Sequence, residues 1–184
     1  MEIKKIPIDL NRTLIQKGPK FRSHTIVFNE ETAYLKPTIS SLLFCTLYII
    51  VGIFLLALAI AVYVKNNQAD FAIFLGGFGI SITTFGCVLV MPFVKHVFFD
   101  KNTGKFKNNI DRTVKIDNIL SLQINNKTIT SKHGLNYPCY ELNMLTKNGR
   151  RINILNHNDI KQLIIDAEKL SLFLSVELMD LRSN

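Results

Sequence analysis

The sequence predicts a membrane α+β protein: a two-helix transmembrane hairpin plus a small antiparallel β domain that ends in one C-terminal amphipathic helix. Three observations carry this. Residues 41–64 and 71–94 contain no charged residue. Short alternating segments separated by Asn, Gly and Pro follow them, as strands and turns do. A last stretch repeats apolar residues at helical spacing.

The chain has 184 residues, 48% of them hydrophobic and 20% charged. Those fractions are near globular averages, but the apolar residues are concentrated in the two uncharged runs. Disorder, collagen-like repeats and a small disulfide scaffold are excluded. Cys45, Cys87 and Cys139 show no CxxC or Cys/His spacing. They read as free thiols in a reducing compartment, without a zinc site or disulfide framework.

A hydrocarbon core about 30 Å thick needs roughly 20 helical residues. Both runs exceed that, so the spans are expected at about 41–64 and 71–94 within a hairpin at 39–94. Only helices satisfy every backbone group in lipid without closing a barrel. Residues 65–70 then form the surface turn. A cleaved signal peptide is not expected, because the first run is too long for one and a second span follows at once.

Orientation follows from the lysines and arginines. Lys20, Arg22 and Lys36 precede the first span, and Lys95, Lys101, Lys105, Lys107, Arg112 and Lys115 follow the second. The turn has only Lys65. Both termini are therefore expected in the cytoplasm, with the protein multi-pass in a bacterial inner membrane. No Asp, Glu, Lys, Arg or His lies within either span, which argues against a proton relay or a charged substrate path.

Small residues recur along both helices. Ala72, Gly76, Gly79, Thr83 and Gly86 repeat with 4-3-4-3 spacing, and Ser41, Cys45, Gly52 and Ala59 lie near one stripe. Such residues let backbones approach in lipid. Gly52, Ala59, Gly76, Gly79, Thr83 and Gly86 are the candidate helix-packing residues. They serve either the hairpin itself or self-association and docking to another membrane protein.

Residues 1–38 form a basic N-terminal segment, with short strands at Thr25–Phe28 and Ala33–Lys36 joined by a turn at Asn29–Thr32. Residues 95–184 form the β domain. Strands are expected at His96–Asp100 and Lys105–Asn108 around a glycine turn, and at Ile119–Ile124. A turn at Asn125-Asn126 leads to a return strand at Lys127–Thr130. After a loop at Ser131–Pro138, Cys139–Thr146 and Arg151–Leu155 flank an Asn-Gly turn, the clearest hairpin in the chain. A helix over about 157–175 follows. Asn156 is the expected N-cap, Asp159 sits at the third position, and Leu155 with Ile160 form the staple.

This order of elements resembles bacterial PH-like membrane proteins. The stretches FDKNTGKF (Phe99 to Phe106), YELNMLTKNGRRINIL (Tyr140 to Leu155) and DAEKLSLFLSVELMD (Asp166 to Asp180) are similar to a group of two-span bacterial proteins with no assigned activity. The resemblance implies a PH-like cytoplasmic domain and binding of lipid, peptide or protein. Such a barrel has about seven strands, and the C-terminal block supplies five or six. Either one strand is unread, or the N-terminal pair completes the sheet.

No catalytic constellation is visible. His24, His96, His133 and His157 lack partners at ligand spacing, and there is no G-x-S-x-G elbow. No catalytic, cofactor or metal residue is assigned, no cofactor is expected, and the protein is read as a non-enzyme. Lys95, Lys101, Lys105, Lys107, Arg112 and Lys115 could contact anionic lipid or merely set topology. The net charge of +8 permits nucleic-acid contact, but no recognition helix or aromatic platform accompanies it, so none is expected. The loop at Ser131–Pro138 and the Gly149-Arg150-Arg151 turn are the best guesses for a partner surface.

The expected function is binding, as a membrane-tethered adaptor or regulatory subunit. The alternative is an immunity protein that neutralises a membrane-acting toxin by docking its glycine stripe. Expected partners are the bilayer, another membrane or cytoplasmic protein, and a second copy.

Overall fold

The computed structural model describes residues 9–94, 97–108, 113–130 and 134–182. It is an α+β protein with two long apolar helices, two sheets and a helix near the C-terminus. The chain forms two compact units, Pro37–Lys95 and a second made of Met1–Lys36 with His96–Asn184.

In the first unit, α1 (Ile39–Asn66) and α2 (Ala69–Val90) are each long enough and apolar enough to cross a bilayer. At about 1.5 Å per residue they extend roughly 42 and 33 Å. The turn is tighter than the six residues expected. Both helices run on into it, and Asn67 takes the left-handed conformation (φ 51°) with its N–H on the Tyr63 carbonyl at 3.1 Å. Pro92 ends α2 in a short 3-10 turn, Met91–Phe93, because it cannot donate to the helical ladder.

The second unit is built from sheet strands on either side of that helical insertion. β1 (His24–Phe28), β2 (Thr32–Pro37), β3 (Phe98–Asp100), β4 (Lys105–Lys107) and β5 (Val114–Lys115) form one sheet in that order. The N-terminal pair is therefore not a separate segment. Tyr34 pairs with Phe98 and Thr32 with Asp100, so the sheet closes across the insertion. The β3–β4 turn forms where the glycine signal put it. Asp100 Oδ1 accepts from the Asn102 and Thr103 N–H groups, and Gly104 takes φ 62°.

The second sheet has the order β8 (Arg151–His157), β7 (Asn136–Thr146), β6 (Ile119–Thr130), β9 (Glu177–Asp180). The expected turn at Asn125-Asn126 is absent. Both asparagines sit inside β6, paired with Glu141 and Tyr140. Turn propensity loses there to a continuous ladder and to side-chain bonds made by Asn125. The Asn148-Gly149 turn between β7 and β8 does form, with Gly149 at φ 82° and its N–H on the Thr146 carbonyl.

The helix α3 spans Ile160–Leu174. Asp159, not Asn156, is its N-cap, its carboxylate accepting from the Gln162 N–H at 3.1 Å. Asn156 is still in β8. The domain does not end in this helix. Ser175 (φ 56°) terminates α3, and Glu177–Asp180 returns as β9, parallel to β6. The sheet is thus mixed rather than purely antiparallel.

Leu122, Ile124, Leu142 and Met144 on one face of the second sheet join Phe99 and Phe106 of the first and Leu163, Ala167 and Leu170 of α3 in one buried core. Each such Leu, Ile, Phe or Met contributes about 1.5–3 kcal/mol by leaving water.

Candidate functional site

The first set of candidates lies in the helical pair. α1 and α2 pack antiparallel through their small residues. A Cβ on Gly52 would lie 2.2 Å from Thr83 Oγ1 and 2.9 Å from the Gly79 carbonyl oxygen. One on Gly79 would meet the Gly52 carbonyl at 3.0 Å, and one on Gly86 would meet Ile49 Cγ1 at 2.8 Å. Gly76 approaches Ala59 only to an ordinary 3.8 Å. Thr83 hydrogen-bonds the Gly79 carbonyl and Cys45 Sγ the Leu89 carbonyl, so these polar atoms are satisfied within the pair. The outer surfaces carry exposed Leu43, Phe44, Phe54, Ile60, Ile73 and Phe74.

The second set, the basic cluster, is only partly assembled. Lys105 and Lys115 pair across β4 and β5, and Lys107 lies two residues along β4 on the same face, opposite buried Phe106. Lys101 turns aside, with its Nζ 4.3 Å from the centre of the Phe173 ring. Lys95 and Arg112 lie outside the described residues, as do Ser131, Lys132 and His133 of the suggested partner loop.

A third arrangement is the most elaborate, and the sequence did not mark it. The face of the second sheet opposite the core is polar yet buried. Gln123, Asn125 and Lys127 on β6 stand beside Asn143, Glu141 and Cys139 on β7, in register. Arg151 and Asn153 on β8 extend the row. Gln123, Asn125, Glu141 and Asn143 are at most 1% exposed. Burial of so many polar groups requires partners, and Asp9–Lys20 supplies them.

That segment has no regular secondary structure and lies over the row as a strap. Glu141 accepts the Leu14 and Ile15 N–H groups, one on each carboxylate oxygen, both at 2.9 Å. Lys127 pairs with Glu141 at 2.5 Å and donates to the Ile15 and Lys17 carbonyls. Arg151 donates to the Asp9 and Arg12 carbonyls at 3.0 and 2.7 Å. Asn125 donates to Leu10, Asn156 to Lys17 and Tyr137 to Gly18, in each case to the carbonyl. Apart from the Lys127–Glu141 pair within the row, each of these bonds meets the strap at its main chain. The strap side chains mostly face outward, Leu14 being 41% exposed.

Within the row, Asn143 bridges Asn125 and Glu141, and Asn153 steadies Asn143. Burial pulls the Arg151 guanidinium below its ordinary value, while Glu141 and Asp9 push it back. Burial raises the Cys139 thiol, and Lys127 opposes that rise. Cys139 lies directly under Gly18, where a Cβ would fall 2.3 Å from its Sγ. Not every group is satisfied. Both polar atoms of Gln123, together with Ser121 Oγ and Arg151 Nε, lack a hydrogen-bond partner among the described residues.

The turn expected at Asn125-Asn126 splits Gln123-x-Asn125-x-Lys127, so the sequence does not present these residues as one polar strand face. What the sequence hid is that this face is covered, because an alternating strand with one polar face is normally wet on that side. Arg151, read as the first residue of a strand and as part of the Gly149-Arg150-Arg151 turn, is one of its main donors. Among the described residues, no three His, Cys, Asp or Glu side chains come together as metal ligands. No family model, curated protein or solved structure matches the chain.

Proposed function

We propose that this chain is an integral protein of the bacterial inner membrane that acts by binding. It would be a tethered adaptor or regulatory subunit, with α1 and α2 spanning the bilayer, both termini cytoplasmic and the β unit PH-like. One observation carries the reading. A helix pair with mostly apolar outer surfaces is joined to a β unit whose densest set of buried polar groups holds polypeptide main chain. A soluble protein buries its long apolar helices, whereas only 11% of each apolar window here is buried. In lipid, each outward Leu, Ile, Phe or Val near mid-span favours insertion by roughly 0.3–0.6 kcal/mol.

The lysine face fits the same reading. Lys105, Lys107 and Lys115 could each gain about 1 kcal/mol near an anionic surface. Toxin neutralisation through the glycine stripe is less favoured, because Gly52, Gly79 and Gly86 already face the opposite helix within the chain.

Three measurements test the reading. The protein should stay with membranes in carbonate, and reporters fused at either end should stay on the cytoplasmic side. A photo-crosslinking residue at Leu14 should give a discrete protein adduct in cells. Carbonate release, an external tail, or turnover of a small molecule lost on a single polar substitution would each defeat it.

A further inference from the structure

The row from Gln123 to Arg151 treats Asp9–Gly18 as a bound peptide rather than as a packed element. Three features set it apart. The hydrogen bonds to the strap end on main chain, so they impose no side-chain sequence on the occupant. Strap side chains add little apolar burial, since none of residues 9–20 belongs to the core. The row also continues past the strap contacts, to the fully buried amide of Gln123, which has no hydrogen-bond partner among the described residues.

An occupant held through its backbone can be replaced by another segment that takes the same bent path and presents carbonyls and amides at the same places. Strand addition and main-chain capture in other proteins rest on the same physics. A segment tethered to its own site also competes at high effective concentration, so it sets a threshold for an incoming chain.

We propose that this polar face is a binding site for a bent, irregular polypeptide segment of a partner protein held through its main chain, and that Asp9–Gly18 is its resident occupant, displaced when the partner binds. The proposal rests on the binding function above and names the class of ligand. Glu141 would take two successive amides of the incoming segment. Lys127, Arg151 and Asn125 would take its carbonyls. Gln123 would take a further main-chain group.

Cys139 provides the readout, because Gly18 covers it. The test uses the full chain in lipid nanodiscs, with Cys45→Ala and Cys87→Ala leaving Cys139 as the sole thiol. In this parent, the protection of Cys139 from alkylation, relative to the unfolded chain, should be at least tenfold smaller than the protection of the Leu122 and Leu142 amides from exchange. Equal protection would mean that the strap leaves only on global unfolding, and would overturn the proposal. This comparison needs no change in the strap.

Gly18→Val then forces the strap off Cys139. Alkylation should rise at least tenfold. A labelled synthetic peptide with the sequence of Asp9–Lys20 should bind this variant at least tenfold more tightly than the parent, and saturating peptide should protect Cys139 again. Tyr137→Phe and Asn156→Ala, each removing one bond to the occupant, should weaken the peptide roughly two- to tenfold. Fast alkylation without peptide binding or protection would overturn the proposal. If that happened while the Leu14 crosslink to a cellular partner persisted, the binding function would stand and only this site would fall. Peptide binding without a cellular adduct would count against the adaptor reading and leave the site intact.

Discussion

The helical pair and the polar sheet face solve one problem in opposite ways: both must hold a polypeptide backbone at close range. Between α1 and α2 the side chains are deleted. Gly52, Gly79 and Gly86 let one backbone approach another, and small hydroxyls bond carbonyls of their own helix. On the second sheet, side chains are supplied instead. Glu141, Lys127 and Arg151 reach a backbone that makes no ladder of its own. On the proposed membrane reading there is no water to satisfy a polar group that loses its partner, so contact through glycine is the robust choice. On the sheet the charged groups are buried only while the strap covers them, and each could exchange a carbonyl for water if the strap lifted, which would allow a reversible contact. The difference teaches that the glycine contact is built to stay closed and the charged contact is able to open.

Breaking the charged contact should have the largest effect. Lys127→Met leaves Glu141 buried without its cation, a loss of about 3–5 kcal/mol when one partner of a buried pair is removed. Denaturant unfolding of the β unit, followed by near-UV circular dichroism, would check this. An unchanged midpoint would place the pair in water and end the contrast drawn here.

Acid comes next. Burial pulls His157 down to about 4 from an ordinary 6.5, and its Nδ1 accepts the Asp159 N–H at 3.1 Å. The unfolded chain therefore binds a proton that the folded chain refuses. Stability from this group is present above about pH 6.5 and is lost progressively down to about pH 4, by about 3 kcal/mol in all. Asp166, which burial raises, works in the opposite sense, so the histidine part is read as the difference from His157→Gln. That variant should flatten the thermal midpoint between pH 6.5 and 4. The helical pair, which has no Asp, Glu or His within its apolar runs, should melt independently of pH over that range.

Between α1 and α2, Gly52→Leu should cost about 1–3 kcal/mol through overpacking, whereas Gly77→Leu, with nothing within 4 Å of its Cβ, should fall within about 0.5 kcal/mol of the parent. Disulfide trapping between cysteines placed on facing positions of the two helices would measure the separation. Equal effects at the two glycines would show that the stripe does not set the approach.

The smallest effect is local. Asp159→Ala removes the N-cap of α3 and should cost about 1 kcal/mol, visible as a lower thermal midpoint. Asn156→Ala should leave the helix unchanged, because that residue belongs to β8 and its side chain bonds the strap.

Much of this architecture could be read in the residues. The two uncharged runs locate α1 and α2, since a long apolar helix needs no distant partner to be recognised. Gly104 and Gly149 mark two turns by local backbone demand. The small-residue spacing on α2 puts Gly79 and Gly86 on one stripe, and both are buried in the pair. Other features were not legible. Asn125-Asn126 has the composition of a turn, but its place in β6 depends on Glu141 and Tyr140, fourteen or more residues away. Asn156 and Asp159 are both good caps by type, and only the length of β8 chooses between them. β9 is four residues of a helix-like run until its parallel pairing with β6 is known.

What the sequence alone determined is which segments must leave water: uncharged runs of this length leave it wherever they are placed, because the cost of hydrating them is local and additive along the chain. The tertiary structure alone decided that a polar strand face would be dry and that Asp9–Gly18 would cover it. That outcome depends on Glu141, Lys127 and Arg151 meeting a backbone more than a hundred residues away, and periodicity within one strand carries no trace of such a meeting.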